Sequence, residues 1–353
     1  LVANLLLQDI RPPPEESEEP ISIGEVLFPS RLVVAILTDL WRIGMINQSA
    51  VLLEKVMNIF KEKIETLKDP EALISNGAYL LNNVNEIRTC IAWSRYTAMS
   101  DFDSKIFLKA EERQDYLKML LIMKRYCETV FGQMYNVWIK SILNELNKKT
   151  IDAVILDETL YSIRQNPNVY FRHMFHKGPK YKMFDVLRIF NNVYLAMKSY
   201  CFDEVISTSV IHDLLTYTDV LCFNDIITRE SYLTVDKGLL IKYNISLLID
   251  WCNEHTVPDS PNKLMHLLTL CQILQLKKQG FADIDMIATT CDSISRKQIE
   301  KIIGECDKNS TTESGKKLGE KTKKLKKKDQ SNNSEFVIPL EDDAFENAFL
   351  CMN

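Results

Sequence analysis

The chain has 353 residues, 46% of them hydrophobic, with only 10 Gly and 11 Pro and a formal net charge of −5 at neutral pH. That length can bury roughly three-quarters of its unfolded surface and normally divides into two packed units. Scarce Gly and Pro and little β-branched alternation predict helices throughout, and the negative charge argues against a dedicated nucleic-acid-binding domain. The first residue is Leu1 rather than Met, which reads as a piece of a longer protein. The Cys residues, nine in all, are scattered singly (90, 127, 201, 222, 252, 271, 291, 306, 351) without a Cys-x-x-Cys pair. They sit mostly on apolar helical faces, as small hydrophobes in a reducing compartment. No signal peptide is visible in this sequence, and no apolar run approaches the roughly 18 residues of a membrane span. A cytoplasmic product without a transmembrane segment is expected.

Leu1 to Ile10 is a short apolar arm, followed by Arg11-Pro12-Pro13-Pro14 and an acidic loop, Glu15 to Glu19; it must dock on the body or stay loose. Pro29 or Ser30 opens a helix over Leu32 to Trp41, which Gly44 closes. Ser49 starts the next helix, with Leu52, Leu53, Val56, Ile59, Phe60 and Ile64 facing inward. Asp69-Pro70 reads as a cap and a first helical residue, leading to about Arg95. Ser100 to Ser104 reads as a turn. A helix free of Pro then runs from about Ala110 to Lys149, and on towards Leu156. At 1.5 Å per residue, 40 residues span about 60 Å, more than one compact domain is wide, so this helix should join two units. Its apolar stripe is too wide for a coiled-coil seam. Helices are expected near 183–200, 204–229, 237–254, 261–278, 283–291 and 295–304, with Asp236 as the N-cap of the third. From Asp307 to Ser334 apolar periodicity is lost and eight Lys crowd 316–328, a disordered tether. Phe336 to Ile338 and Phe345 to Leu350 are apolar again, and a sticky tail after a soluble tether should fold back on the body.

Several stretches carry a resemblance. Cys222-Phe223-Asn224-Asp225, then Gly238, Tyr243-Asn244 and Trp251-Cys252, in this order and spacing, resemble the dilute segment of class V myosin tails. Val26 to Arg31 with Leu40 to Gly44, Asn136-Val137-Trp138 with Ile151 to Val154, and Asp283 to Ile302 resemble other parts of the same globular tail. The resemblance covers roughly 21–305. It implies an all-α fold: an elongated two-lobed helical bundle joined by one long helix, with a C-terminal segment folding back on the first lobe. The expected division is 1–182 for the first helical subdomain, 183–306 for the second, 307–334 for the Lys-rich linker and 335–353 for the returning segment.

No sequence feature supports an enzyme. There is no Gly-rich phosphate loop, Gly-x-Ser-x-Gly or HExxH. His173 and His176 lack further metal ligands, and Asp283, Asp285 and Asp292 read better as helix caps than as acid–base pairs. No cofactor and no metal are expected. The Lys316–Lys328 run reads as a tether or as a phosphate-binding segment, without the aromatic residues that base stacking needs. Trp93, Tyr96, Tyr135 and Trp138 have helical-neighbour spacing and read as core, or, where exposed, as partner anchors.

The resemblance further implies a cargo-binding tail that holds adaptor proteins, with the ATPase motor and a dimerising coiled coil elsewhere, so that the isolated piece is a monomer. It also implies a fold-back against the motor when no cargo is bound. Many tails of the family carry an aromatic-basic-basic-Gly run near a surface used by Rab-type adaptors; here it reads Val235-Asp236-Lys237-Gly238. Val and Asp disfavour an acidic or Rab-like partner there, or have drifted under a helix cap. On this difference the mRNA-carrying kind, which reaches RNA only indirectly through an RNA-transport adaptor, is favoured over the carrier of vesicles and organelles with Rab or organelle adaptors. A free-standing helical tether of vesicle traffic is the rival class.

Overall fold

The computed structural model describes residues 10–13, 22–99, 110–158, 178–276, 293–315 and 336–339. Among them every regular element is helical. They are α1 (Ile23–Val26), α2 (Phe28–Arg42), α3 (Ile46–Thr66), α4 (Pro70–Met99), α5 (Ala110–Ile151), a π-helical turn (Asp152–Leu156), α6 (Met183–Ser199), α7 (Glu204–Thr228), a 3₁₀ turn (Glu230–Tyr232), α8 (Val235–Glu254), α9 (Ser260–Lys263), α10 (Met265–Gln275) and α11 (Arg296–Gly315). The chain forms two compact units: Leu1–Ile142 with Asn191–Ser207 and Asp343–Asn353, and Leu143–Phe190 with Thr208–Asp342. Their boundaries fall inside α5, α6 and α7, so the long α5, of 42 residues, contributes to both.

In the first unit α2 begins with Pro29 in its first turn and ends where Gly44 takes φ +77°. Gly44 N–H donates to Trp41 O and Met45 N–H to Leu40 O, the paired bonds that a left-handed residue permits after a helix. Ser49 lies one turn inside α3 rather than at its start, because its side chain has another task. It is buried, donates to Ile46 O (2.6 Å) and accepts from Trp41 Nε1 (2.9 Å), satisfying an indole placed in the core. Asp69 caps α4 through Ala72 N–H (2.8 Å).

Two neighbouring amides in α4 hold the junction of α1 with α2 and the corner between α6 and α7. Asn83 Nδ2 donates to Val26 O (3.0 Å) and Tyr79 O (3.1 Å), while its Oδ1 accepts from Ser30 N–H (3.3 Å). Asn82 Nδ2 donates to Tyr200 O (2.6 Å) and Cys201 O (3.3 Å) at the α6–α7 corner. Cys201 there has φ 58°, a strained value for a side chain with a Cβ, and the Asn82 clamp helps hold it. The part of α5 up to Trp138 closes the core with Tyr116, Leu120, Met123, Cys127, Phe131, Met134 and Trp138.

The second unit collects the end of α5, the start of α6, most of α7, and α8 to α11. Helices α8 and α10 approach closely at Gly238, where a Cβ would lie 3.0 Å from Leu274 Cβ. Helix α11 continues through Gly315, past Asp307 where the tether was expected to begin. The helix does not need an apolar stripe there: Cys306 is buried, and Asn309 Nδ2 donates to Glu230 O (2.7 Å) and Leu233 O (3.1 Å). Of the two apolar stretches after the tether, Phe336–Pro339 lies against α7 and α11. The Ser100–Ser104 turn, the 283–291 helix, the Lys316–Lys328 run and the stretch from Phe345 to Leu350 lie outside the described residues, as do His173 and His176.

Candidate functional site

The segment Tyr217–Trp251 forms its structure around three polar side chains. Asp219, only 1% exposed, accepts from Leu267 N–H at 2.8 Å, and from His266 N–H (3.2 Å) and Nδ1 (2.6 Å). It thus caps α10 from a different helix and fixes the angle at which α7 meets α10. Asn244, buried in α8, points its Nδ2 at three carbonyls that end the π turn: Ala153 (3.3 Å), Val154 (3.0 Å) and Asp157 (3.0 Å). A π turn leaves carbonyls without regular helical partners, and one amide satisfies them together. Asp157 then accepts from Met183 N–H (3.0 Å), linking this knot to the start of α6.

The first turn of α8 is the surface singled out by its departure from the family pattern. The N-cap is Thr234, not Asp236: Thr234 has extended backbone angles (φ −131°, ψ 157°) and its Oγ1 accepts from Lys237 N–H (3.2 Å). Asp236 lies inside the first turn, exposed, where its charge favours the helix dipole. Val235 is 42% exposed. Lys237 folds away from solvent, its Nζ donating to Ile155 O (3.4 Å) and pairing with Glu158 Oε1 (3.1 Å). Nearby Arg229 pairs with Asp225 (2.8 Å) and Lys308 with Glu305 (2.6 Å). These cations are engaged by carboxylates of the same unit, while Asp236 and Glu230 face water.

The four aromatic candidates separate cleanly. Tyr135 (1% exposed) and Trp138 (0%) are core residues, and Trp138 Nε1 donates to Ile74 O at 3.0 Å. No partner can grip a buried ring, so these two are withdrawn as anchors. Trp93 (64%) and Tyr96 (62%) stand on the surface of α4 with ring centroids 5.6 Å apart. The helical spacing within each pair was visible in the sequence, but which face looks inward was not. Asn244 lies in a stretch that carries the resemblance and Asp219 three residues before another, yet nothing local marks them as interhelical clamps.

Among the described residues no group of three or more His, Cys, Asp or Glu is placed to hold a metal, and no helix is long and apolar enough to cross a membrane. One titrating group stands out. Burial pushes the Asp213 carboxyl up to about 7, with Lys263 opposing, and its Oδ2 has no hydrogen-bond partner. Its folded value lies above its unfolded one, so its stabilising contribution is full below about pH 4 and is lost as pH rises through about 7. Asp213→Asn is therefore expected to flatten the pH dependence of stability between about 4 and 7, and to raise stability at pH 8 by on the order of 3 kcal/mol. Urea unfolding at pH 5 and pH 8 checks this; an equal effect at both would refute it.

A family model, the DIL domain, matches residues 209–310, the stretch that holds Asp219, Thr234, Lys237 and Asn244. Myosin-2A of Naumovozyma castellii is 32% identical over 286 residues and Myosin-2 of Lachancea kluyveri 33% over 282, covering 81% and 80% of the chain. The chain spans 18% of the length of each of these relatives. Myosin-4 of Saccharomyces cerevisiae is 22% identical over 283 residues, 79% of this chain and 18% of that relative. The solved yeast myosin 5 cargo binding domain superposes with a TM-score of 0.72 at 25% identity, over 99% of this chain and 93% of that one. Myo2-GTD in complex with Inp2 gives 0.71 at 24%, over 98% and 92%, and similar matches are complexes of Myo2-GTD with Mmr1 and with Smy1. Helices alone, a DIL segment and this superposition define a globular tail domain. The chain belongs to the class V myosins, as a globular tail of the fungal type, and the matched region is the cargo-binding part rather than a catalytic one.

Proposed function

We propose that this tail binds adaptor proteins on its helical surface, with no bond chemistry, while the motor of the intact protein moves on actin in the cytoplasm. The observation that carries the reading is the agreement of fold and DIL segment with tails solved in complex with Inp2, Mmr1 and Smy1. Identity weighs towards adaptors of the myosin-2 kind, at 32–33% against 22% for Myosin-4. A second reading, an RNA-transport adaptor, is supported by the first turn of α8. There Asp236 faces water and Lys237 is held by Glu158, which disfavours an acidic or Rab-like partner. RNA would then be reached only through the adaptor.

Calorimetric titration of the purified chain against Inp2, Mmr1 and Smy1 fragments, an RNA-transport adaptor and Rab proteins tests both readings. At least one adaptor is expected to bind, with Rab binding weak and strengthened about tenfold by Asp236→Lys, a step of about 1.4 kcal/mol. Tight Rab binding indifferent to residue 236, with no adaptor bound, would refute both.

A further inference from the structure

We infer that Phe336–Pro339 occupies a peptide site on α7 and α11, and that the same site accepts an adaptor segment of the form aromatic–x–aliphatic–Pro. The site is built. Asn224 on α7 meets Ile338 at two points: its Nδ2 donates to Ile338 O (2.8 Å) and its Oδ1 accepts from Ile338 N–H (2.9 Å). One side-chain amide thus makes both hydrogen bonds that a neighbouring β-strand would offer an extended residue. On α11, Gln298 is 6% exposed and its amide is oriented before any peptide arrives. Its Oε1 accepts from Ser295 N–H (2.8 Å) and Oγ (2.9 Å), which leaves Nε2 to donate to Phe336 O (2.7 Å). One turn on, Lys301 Nζ lies 4.4 Å from the centroid of the Phe336 ring.

The hydrogen bonds named here go to the backbone of the seated segment, so they do not read sequence. Selectivity falls to two positions. The ring at 336 meets a cation, and Pro339 biases Ile338 towards the extended conformation that Asn224 accepts. These features transfer to any chain with an aromatic residue, a free position, an aliphatic residue and then Pro.

Twenty residues (316–335) separate Gly315 from Phe336. Fully extended they reach up to about 70 Å, against about 26 Å along α11 from Gln298 to Gly315. Seating within the chain is easy, and its effective concentration is on the order of millimolar. A partner segment that binds more tightly than this displaces it. The site is separate from the first turn of α8, so its failure would leave that reading untouched.

The test uses the full chain carrying Phe336→Ala and Ile338→Pro, which remove the ring and the N–H that Asn224 accepts. The probe is a fluorescent synthetic peptide of residues 333–342, read by anisotropy. The peptide is expected to bind the variant at least about tenfold more tightly than the unaltered chain, which competes with itself. A peptide with the same two replacements is expected not to bind. Failure to bind a variant that melts like the unaltered chain, or equal binding of the altered peptide, would overturn the inference. If the variant does not fold, the peptide is titrated to millimolar on the unaltered chain, where absence of saturation overturns it. Concentration-dependent dimers of the unaltered chain would also overturn it, by making a second copy the occupant.

Discussion

Gly77→Ala is expected to destabilise the first unit by about 2–4 kcal/mol, although alanine is the better helix former. A Cβ at Gly77 would stand 2.6 Å from Trp138 Cδ1 and 3.3 Å from its Nε1. Trp138 is fully buried and its indole N–H is committed to Ile74 O, so the ring cannot swing aside into solvent. Overpacking costs about 1–3 kcal/mol and a disturbed buried hydrogen bond a similar amount, against about 1 kcal/mol gained in helix propensity. The clash wins. Gly132 on α5 supplies the control, since a Cβ there would meet nothing within 4 Å. Gly132→Ala is expected to stabilise by about 0.5–1 kcal/mol. Urea unfolding of the two variants should shift midpoints in opposite directions; a shift in the same direction would show that Trp138 can repack.

Asn244→Leu should cost about 3 kcal/mol, more than a typical lost hydrogen bond. The substitution keeps side-chain bulk but leaves Ala153, Val154 and Asp157 carbonyls without their shared donor. Buried acceptors left unmade cost about 1–3 kcal/mol each, and the three carbonyls share only the two N–H groups of one amide, which reduces the sum. Hydrogen exchange should localise the damage to the end of α5 and the start of α8. Loss of protection spread evenly over the second unit would mean that Asn244 serves general packing instead. Because Lys237 donates to Ile155 O in the same turn, the Lys237–Glu158 pair should loosen as well, visible as faster exchange at the first turn of α8.

Much of the helical plan was readable from apolar spacing. The run from Ala110 towards Leu156 needed only its missing prolines, and Asp69-Pro70 and Gly44 announced their helix ends by local chemistry. The misreadings share a cause: a side chain serving something distant in sequence. Ser49 looks like a helix start, but it answers the Trp41 indole. Asp236 looks like a cap, but the extended backbone falls at Thr234. The tether expected from Asp307 ignored Asn309, which holds the 3₁₀ turn some 76–79 positions away. The same holds for the candidate surface. Tyr135 and Trp93 have similar chemistry and similar helical neighbours, and only the packing of α4 and α5 decides that one is core and the other exposed.

The buried thiols give this tail an internal clock. Burial pushes Cys127 and Cys271 up to about 12 and Cys252 up to about 11, and holds Cys222 well above its ordinary range. An alkylating reagent attacks thiolate, so at neutral pH these four react only when their helices open. Cys90 and Cys201, partly accessible, record the unopened state. With Cys127 in one unit and the other three in the second, mass spectrometry of timed alkylation would read the breathing rate of each unit separately, without any introduced label.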